Sequence, residues 1–214
     1  MNDQATTQTK ASFDSLAPVY DSLDGLLEWA AFRRWREKFW SQVRGERVLE
    51  VGVGTGKNLP YYPQGMQVTA VDLSEKMLAR ARQRAQELGV DVDLQVMDAQ
   101  RLTFPDATFD AAAATFVFCS VPDPVRGLRE LARVVKPGGG IFLLEHTRVN
   151  KPVIGRVMDL LPHFNRRTVE NVQKAGLEIE QVEELAPGGL VKLIVARVRY
   201  SRGEAFARPT CHAT

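Results

Sequence analysis

The feature that most constrains this chain is a glycine-spaced turn set directly after a short apolar run. Arg47-Val-Leu-Glu-Val51 reads as a buried strand, and glycines at 52, 54 and 56 close it. Alternate glycines let the backbone approach a ligand closely and let the following segment aim its N–H groups at it. In an open α/β sheet, ligands bind at the carboxyl ends of the strands, where this turn lies. The spacing also excludes. A dinucleotide fingerprint needs glycine at 57, where the chain has Lys57. A phosphate-binding loop registered on Gly56-Lys57 needs glycine at 51 and a hydroxyl residue at 58, where Val51 and Asn58 stand. The pattern that fits without a gap is E-x-G-x-G-x-G from Glu50, followed by an acid, Asp72, at the end of the next strand.

Short β-branched runs alternate with helical ones beyond this point. Strands are expected at 67–71, 92–97, 109–116 and 141–145. Ser74 can cap a helix whose inward face is Met77, Leu78, Ala81, Ala85 and Leu88, with Gly89 as its stop. A second helix spans 124–135 and ends at Lys136-Pro-Gly-Gly-Gly140. After a further helical stretch come strands at 177–185 and 190–198, joined by Pro187-Gly188-Gly189. Alternation of this kind implies right-handed βαβ units and a parallel sheet covered on both faces. A turn as tight as Pro-Gly-Gly cannot carry a parallel crossover, so the last pair should be antiparallel. The expected fold is α/β: a Rossmann-like open sheet of seven strands, mostly parallel, with an antiparallel C-terminal hairpin and helices on both faces. It should occupy 46–200, after an N-terminal helical segment (1–45) serving as lid and candidate membrane contact, and before a polar tail at 201–214.

Composition narrows the function classes. Lys and Arg number 28 against 26 Asp and Glu, a net charge of +2 that leaves no broad basic footprint for nucleic acid. Cys119 and Cys211 form no disulfide framework and suit a reducing compartment, while His146, His163 and His212 lack metal-ligand spacing. No apolar run approaches the roughly 18 residues needed to span a bilayer, and the polar start lacks a signal-peptide core. A cytoplasmic protein is expected, soluble or resting on the inner face of the membrane, with neither metal nor nucleic acid as partner.

Five segments in order carry a family likeness: Val48-Leu-Glu-Val-Gly-Val-Gly-Thr-Gly56, Val71-Asp-Leu-Ser-Glu-Lys-Met-Leu78, Met97-Asp-Ala99, Phe104-Pro-Asp-Ala-Thr-Phe-Asp110 and Leu131-Ala-Arg-Val-Val-Lys-Pro-Gly-Gly139. The chain resembles the class I S-adenosylmethionine-dependent methyltransferases from about residue 20 to 198. Within them it is similar to the branch of ubiquinone/menaquinone C-methyltransferases and bacterial phospholipid N-methyltransferases. Phe118-Cys-Ser-Val121 and Glu145-His146 also resemble methyltransferase-like thiol methyltransferases. The resemblance implies S-adenosyl-L-methionine as cofactor. It implies that Asp72 accepts both ribose hydroxyls. Asp98 would face the adenine amine, with Ala99 beside the ring. Glu50 and the backbone of Gly52, Gly54 and Gly56 would border the methionine end, Leu73, Met77 and Thr115 would also bind the cofactor, and Tyr20 would belong to a segment that closes over it. Each acid could otherwise be an ordinary strand-end or helix-cap carboxylate. The segment 151–168 is shorter than in similar proteins, which leaves the acceptor open among phospholipid amine, quinone ring carbon and thiol.

Methyl transfer from a sulfonium needs alignment, exclusion of water and, for some acceptors, removal of a proton. His146, at the end of the fifth strand, and His163, in the lid region, are the candidate bases, because an imidazole titrates near neutrality. Trp29, Trp35 and Trp40 lie within twelve residues and are interleaved with Arg33, Arg34 and Arg36. Such a helix could rest on an anionic membrane surface, or pack on the sheet as part of the substrate pocket. Two rivals stay open: a nicotinamide-dependent oxidoreductase, which would need the missing glycine at 57, and a non-catalytic membrane-surface binding protein.

Overall fold

A computed structural model describes residues 3–23, 32–147 and 167–199, and within the first span the side chains of residues 4–15. In chain order the elements are α1 (Asp3–Leu23), α2 (Arg33–Trp40), β1 (Arg47–Val51), β2 (Gln67–Asp72), α3 (Glu75–Leu88), β3 (Asp93–Val96), β4 (Phe109–Thr115), α4 (Pro124–Val134), β5 (Val135–His146), α5 (Thr168–Lys174), β6 (Glu178–Glu184) and β7 (Val191–Arg197). A 3₁₀ turn at Leu59–Tyr61 follows the glycine loop. The seven strands form one sheet in the order β3-β2-β1-β4-β5-β7-β6. Strands β1 to β5 pair in parallel, and β7 pairs antiparallel with both β5 and β6. The sheet is therefore the expected one, with the last strand inserted inside the edge rather than added to it.

Both faces are covered. On one, Leu128, Leu131 and Val134 of α4 and Val172 of α5 pack on Leu49, Ala112, Leu143 and Ile194. On the other, Phe39 and Trp40 of α2 pack on Val48, Ala111, Ala113 and Leu144, while Leu78 of α3 covers Val68 and Ala70. β4 lies at the centre and carries four consecutive alanines, Ala111 to Ala114, all fully buried. Alanine is a poor strand former; here tertiary crowding overrides propensity, since both layers need room to approach the central strand.

One boundary differs markedly from the sequence reading. β5 starts at Val135, so Lys136-Pro-Gly-Gly-Gly140 belongs to the strand instead of a loop. Val135 pairs with Phe109 and Gly140 with Ala111, with the register shifting between them. A Cβ at Gly139 would sit 2.5 Å from the Asp110 carbonyl oxygen, so the bulge closes only over glycine.

The α2 helix corrects part of the membrane expectation. Arg36 is 7% exposed and Trp40 1%, so neither can touch a membrane surface. The helix packs its aromatic face on the sheet, with Trp40 against the Tyr62 ring at 4.6 Å. Arg33 and Arg34 point outward and Trp35 is half-buried. Trp29 lies outside the described residues.

Candidate active site

A crevice opens at the carboxyl edge of the parallel strands, between β2, β1 and β4 and beneath α1. It is lined by Gly52 and Gly54 after β1, Asp72, Leu73 and Met77 after β2, Asp98 and Ala99 after β3, and Thr115 at the end of β4. The structure thus brings together eight of the eleven residues expected around the cofactor. Of the other three, Gly56 lies under α3, where a Cβ would meet Leu59 Cδ1 at 2.7 Å. Glu50 points away from the crevice into a buried polar cluster. The side chain of Tyr20 lies outside the described residues, although its backbone belongs to α1.

The Asp72 carboxylate is seated by backbone. Its Oδ2 accepts the Gly54 N–H and its Oδ1 the Ser74 N–H, both at 2.9 Å. Burial raises its pKa above the ordinary carboxylate value, opposed by the backbone donors of Ser74, Gly54 and Leu73. A carboxylate offers about four lone-pair directions, and each oxygen can accept a further hydrogen bond beside the one at 2.9 Å. Ser74 also accepts the Met77 N–H as N-cap of α3 and donates to Asp14 of α1. Through that link α1 crosses the crevice, and its Thr9 and Phe13 join the lining. The sequence reading treated this stretch only as a lid; the alternation of Phe13 with helix-compatible polar residues and the Lys10–Asp14 pair were the available signals.

At the opposite end, Glu50 is fully buried and receives hydrogen bonds from Asn58 Nδ2 and the Tyr62 hydroxyl. Desolvation lifts its pKa to about 7, restrained by those donors and by the charge of Arg36. Arg36 Nη1 donates to Asn58 Oδ1 at 2.7 Å and to Thr115 Oγ1 at 3.3 Å, and Asn58 Nδ2 reaches the same hydroxyl oxygen at 2.8 Å. Beside this cluster, fully buried Glu145 of β5 accepts the N–H groups of Val117 and Phe118 at 2.9 Å and of Cys119 at 3.2 Å. It thereby fixes the segment after β4 that walls the crevice. Burial lifts this carboxyl to about 7 as well.

The candidate bases fare differently. His146 is not among the crevice-lining residues; its ring lies 4.5 Å from that of Phe116, which is. Burial lowers its pKa to about 4, so it is neutral at neutral pH but a weak base. Phe116 holds a φ of 58°, rare for a residue with a side chain, and Phe32 packs edge-on to it at 5.4 Å. His163 lies outside the described residues. Cys119 is buried with its thiol pKa pushed far up, first by desolvation, which suits a packed side chain.

These residues fit S-adenosylmethionine. Gly52 adopts φ +71°, and a Cβ there would come within 2.3 Å of Val117 Cγ2, so the loop passes through space that only glycine leaves clear. Acceptors at Asp72 and Asp98 suit sugar hydroxyls and an exocyclic amine. Residues 49–143 match the family described as a methyltransferase domain. Over 158 residues the chain is 40% identical to a phosphatidylethanolamine N-methyltransferase of Cereibacter sphaeroides, spanning 69% of this chain and 78% of that one. The chain belongs to the S-adenosylmethionine-dependent methyltransferases. It is also 37% identical over 147 residues to a demethylmenaquinone methyltransferase of Renibacterium salmoninarum, spanning 67% of this methyltransferase and 60% of that protein's length. Among solved structures, the [4+2]-cyclase SpnF superposes with a TM-score of 0.74 at 22% identity, covering 92% of this chain and 97% of that one. That likeness shows the fold alone, and its name is a reminder that the fold does not dictate the chemistry. Among the described residues no group of His, Cys, Asp and Glu could hold a metal, and no helix is long and apolar enough to cross a membrane.

Proposed function

We propose that this methyltransferase moves the methyl group of S-adenosylmethionine to the amine of a phospholipid headgroup. The observation that carries the acceptor is the 40% identity to the phosphatidylethanolamine enzyme over 78% of that protein's length. The quinone enzyme matches over a smaller share of its length, 60%, which ranks a quinone ring carbon second and a thiol third.

Bound S-adenosylmethionine would supply a methyl group already activated on a sulfonium. Asp72 and Asp98 would hold its nucleoside, Gly52 and Gly54 would clear space for its backbone approach, and Thr115 would border its amino-acid end. Phe13, Met77, Met97, Phe116 and Val121 give the crevice apolar walls that exclude water. An amine acceptor arrives as an ammonium and must lose a proton before attack. His163 is the proposed base, and His146, set against Phe116, acts by seating that ring. His146→Ala is then expected to lower turnover while cofactor affinity stays within about twofold. Exposed Arg33 and Arg34, with Trp29 and Trp35, are the proposed contact with an anionic bilayer. The localisation that follows is peripheral, on the cytoplasmic face.

The test uses S-adenosylmethionine labelled in its methyl group, with phosphatidylethanolamine vesicles or demethylmenaquinone as acceptor. Label in methylated phosphatidylethanolamine supports the proposal; label in the quinone fraction alone overturns the acceptor but keeps the reaction. Salt-sensitive pelleting with anionic vesicles tests the surface contact.

A further inference from the structure

The acids after β2 and β3 are each seated by the residue two places on. Asp72 Oδ1 accepts the Ser74 N–H at 2.9 Å, and Asp98 Oδ1 accepts the Gln100 N–H at 2.8 Å. In both cases the side chain of the seating residue also holds α1: Ser74 Oγ donates to Asp14, and Gln100 Nε2 donates to Thr6 Oγ1 at 3.2 Å. Thr6 and Asp14 lie about 12 Å apart along the helix, and Thr9 and Phe13 between them line the crevice. Gln100 does more than Ser74. It is 3% exposed and lines the crevice, and its carboxamide meets the carboxylate itself, with Nε2 at 3.2 Å from both Asp98 oxygens. Its Oε1 accepts the N–H of Asp123 at 3.0 Å, the N-cap of α4, directly after Val121 and Pro122 of the crevice wall. These partners leave the amide one orientation: its N–H donors face Asp98 and Thr6, its carbonyl faces an N–H, and a flip would set that oxygen against a carboxylate.

We propose that Gln100 is the positioning residue of the base subsite: it holds the Asp98 carboxylate in the orientation that accepts an exocyclic amine, and it ties that carboxylate to the α1 roof and to the wall before α4. The physical need follows from a comparison of the two acids. Asp72 has a backbone N–H on each oxygen, Ser74 on Oδ1 and Gly54 on Oδ2, and its carboxylate plane is thereby fixed. Asp98 has a backbone N–H on Oδ1, and at Oδ2 the Gln100 amide stands where Asp72 has Gly54. The terminal torsion of an aspartate is soft, so one bond to one oxygen leaves the plane able to turn. An amide that straddles both oxygens closes that rotation before the ligand arrives, which lowers the ordering cost of binding. Oδ1 takes two of these bonds and Oδ2 one, so Oδ2 keeps more capacity for the amine. The assignment rests on the methyl-donor reading given above and adds to it a residue that acts through Asp98.

Calorimetry with two nucleosides tests it: 5′-methylthioadenosine, which carries the 6-amine, and 5′-methylthioinosine, which has a carbonyl oxygen in its place. Wild-type protein should prefer the first by at least about tenfold, the scale of one hydrogen bond to a charged group. Gln100→Met keeps the length of the side chain and removes its donors and acceptor. The preference should then fall to within about threefold, chiefly through weaker binding of 5′-methylthioadenosine. Thr6→Val cuts the link to α1 alone; it should weaken both nucleosides together, by about two- to threefold, and leave their ratio unchanged. Gln100→Glu keeps the size and the acceptor toward Asp123 but sets a carboxylate against Asp98. It should lose the preference at least as far, and it carries the test should the methionine variant fail to fold. A merely structural glutamine predicts a lower melting temperature and parallel loss of both nucleosides in the Gln100 variants; that result, or a preference kept intact, overturns the proposal. Thr6→Val without effect on either nucleoside overturns the link to the roof. Wild-type protein that binds both nucleosides equally overturns the place given to Asp98, and wild-type protein that binds neither overturns the methyl-donor reading itself, each recognisable without any variant.

Discussion

The two ends of the crevice are built by different means. At the β2 and β3 end, recognition comes from backbone: Asp72 is held by the N–H groups of Gly54 and Ser74, and Asp98 accepts the Gln100 N–H at 2.8 Å. At the β4 and β5 end it comes from side chains far apart in sequence. Arg36 meets Asn58 across 22 positions and Thr115 across 79, and Glu145 reaches back to the wall across 26 to 28. The first arrangement belongs to any chain that lays a glycine loop and strand-end acids on this sheet. The second depends on side chains that tertiary packing brings together, and it adjoins the Phe116 wall.

The largest effect is expected where the backbone-built end is removed. Asp72→Ala deletes the acceptor of both proposed sugar hydroxyls and releases the Gly54 and Ser74 N–H groups together. Charge-assisted hydrogen bonds of this kind contribute about 1.5–3 kcal/mol each, so S-adenosylhomocysteine affinity should fall at least about a hundredfold. Asp72→Asn, which keeps one acceptor, should lie between. Calorimetry giving Asp72→Ala no larger a loss than Thr115→Val would erase the distinction between the two ends.

A pair of glycines sharpens the same comparison one step down. Gly52 lies where the ends meet, and a Cβ there would come within 2.3 Å of Val117 in the wall that Glu145 holds. At Gly54 a Cβ would meet nothing within 4 Å, leaving only the strain of a positive φ, +57°. That strain costs about 1–2 kcal/mol, and overpacking adds about 1–3 kcal/mol where the neighbour is pinned. Gly52→Ala should therefore lower the melting temperature by several degrees more than Gly54→Ala, whose main effect should be weaker cofactor binding. Equal melting temperatures would mean that the wall yields and that Glu145 does not fix it.

What could be read in advance follows the same division. The sheet, its antiparallel C-terminal pair, Asp72, Asp98 and the glycine loop were legible because each depends on local pattern: periodicity, turn chemistry and an acid at a strand end. The cluster at the other end was not, because no spacing announces a contact across 79 residues. Arg36 read as one arginine in a basic stripe, yet the helical face that carries Phe39 and Trp40 turns it inward. Asn58 counted only as the residue that rules out a phosphate loop, and it proves to be the junction between Glu50, Arg36 and Thr115. His146 sits at the strand end as expected, but the β-pairing of His146 with Val191 and the position of Phe116 set it beside the wall instead of inside the crevice.

A last comparison, whose effect vanishes at neutral pH, probes the side-chain-built end through titration. Burial moves its carboxyls and its histidine in ways that oppose one another. Glu50 and Glu145 titrate near 7 when folded against 4.5 ordinarily, so between those values the folded protein binds more protons than the unfolded chain, and stability falls as pH rises through that window. His146 titrates near 4 when folded against 6.5, so between those values the unfolded chain binds the extra proton, and stability rises with pH. Two carboxyls outweigh one histidine, so on balance the wild type is expected to lose stability as pH rises between about pH 4.5 and 6.5. His146→Gln removes one side of the balance. The difference in stability between variant and wild type should therefore grow in the variant's favour as pH falls from 7 toward 4, reaching on the order of 2–3 kcal/mol. In a chain of this size that is a relative shift of about 4–12 °C in melting temperature, readable by scanning calorimetry at a series of pH values. Glu145→Gln should change the relative slope in the opposite sense, on top of the constant loss from its three backbone hydrogen bonds. Parallel curves for wild type and His146→Gln would place His146 in water, and the stacked Phe116 wall would lose the support that separates this end of the crevice from the other.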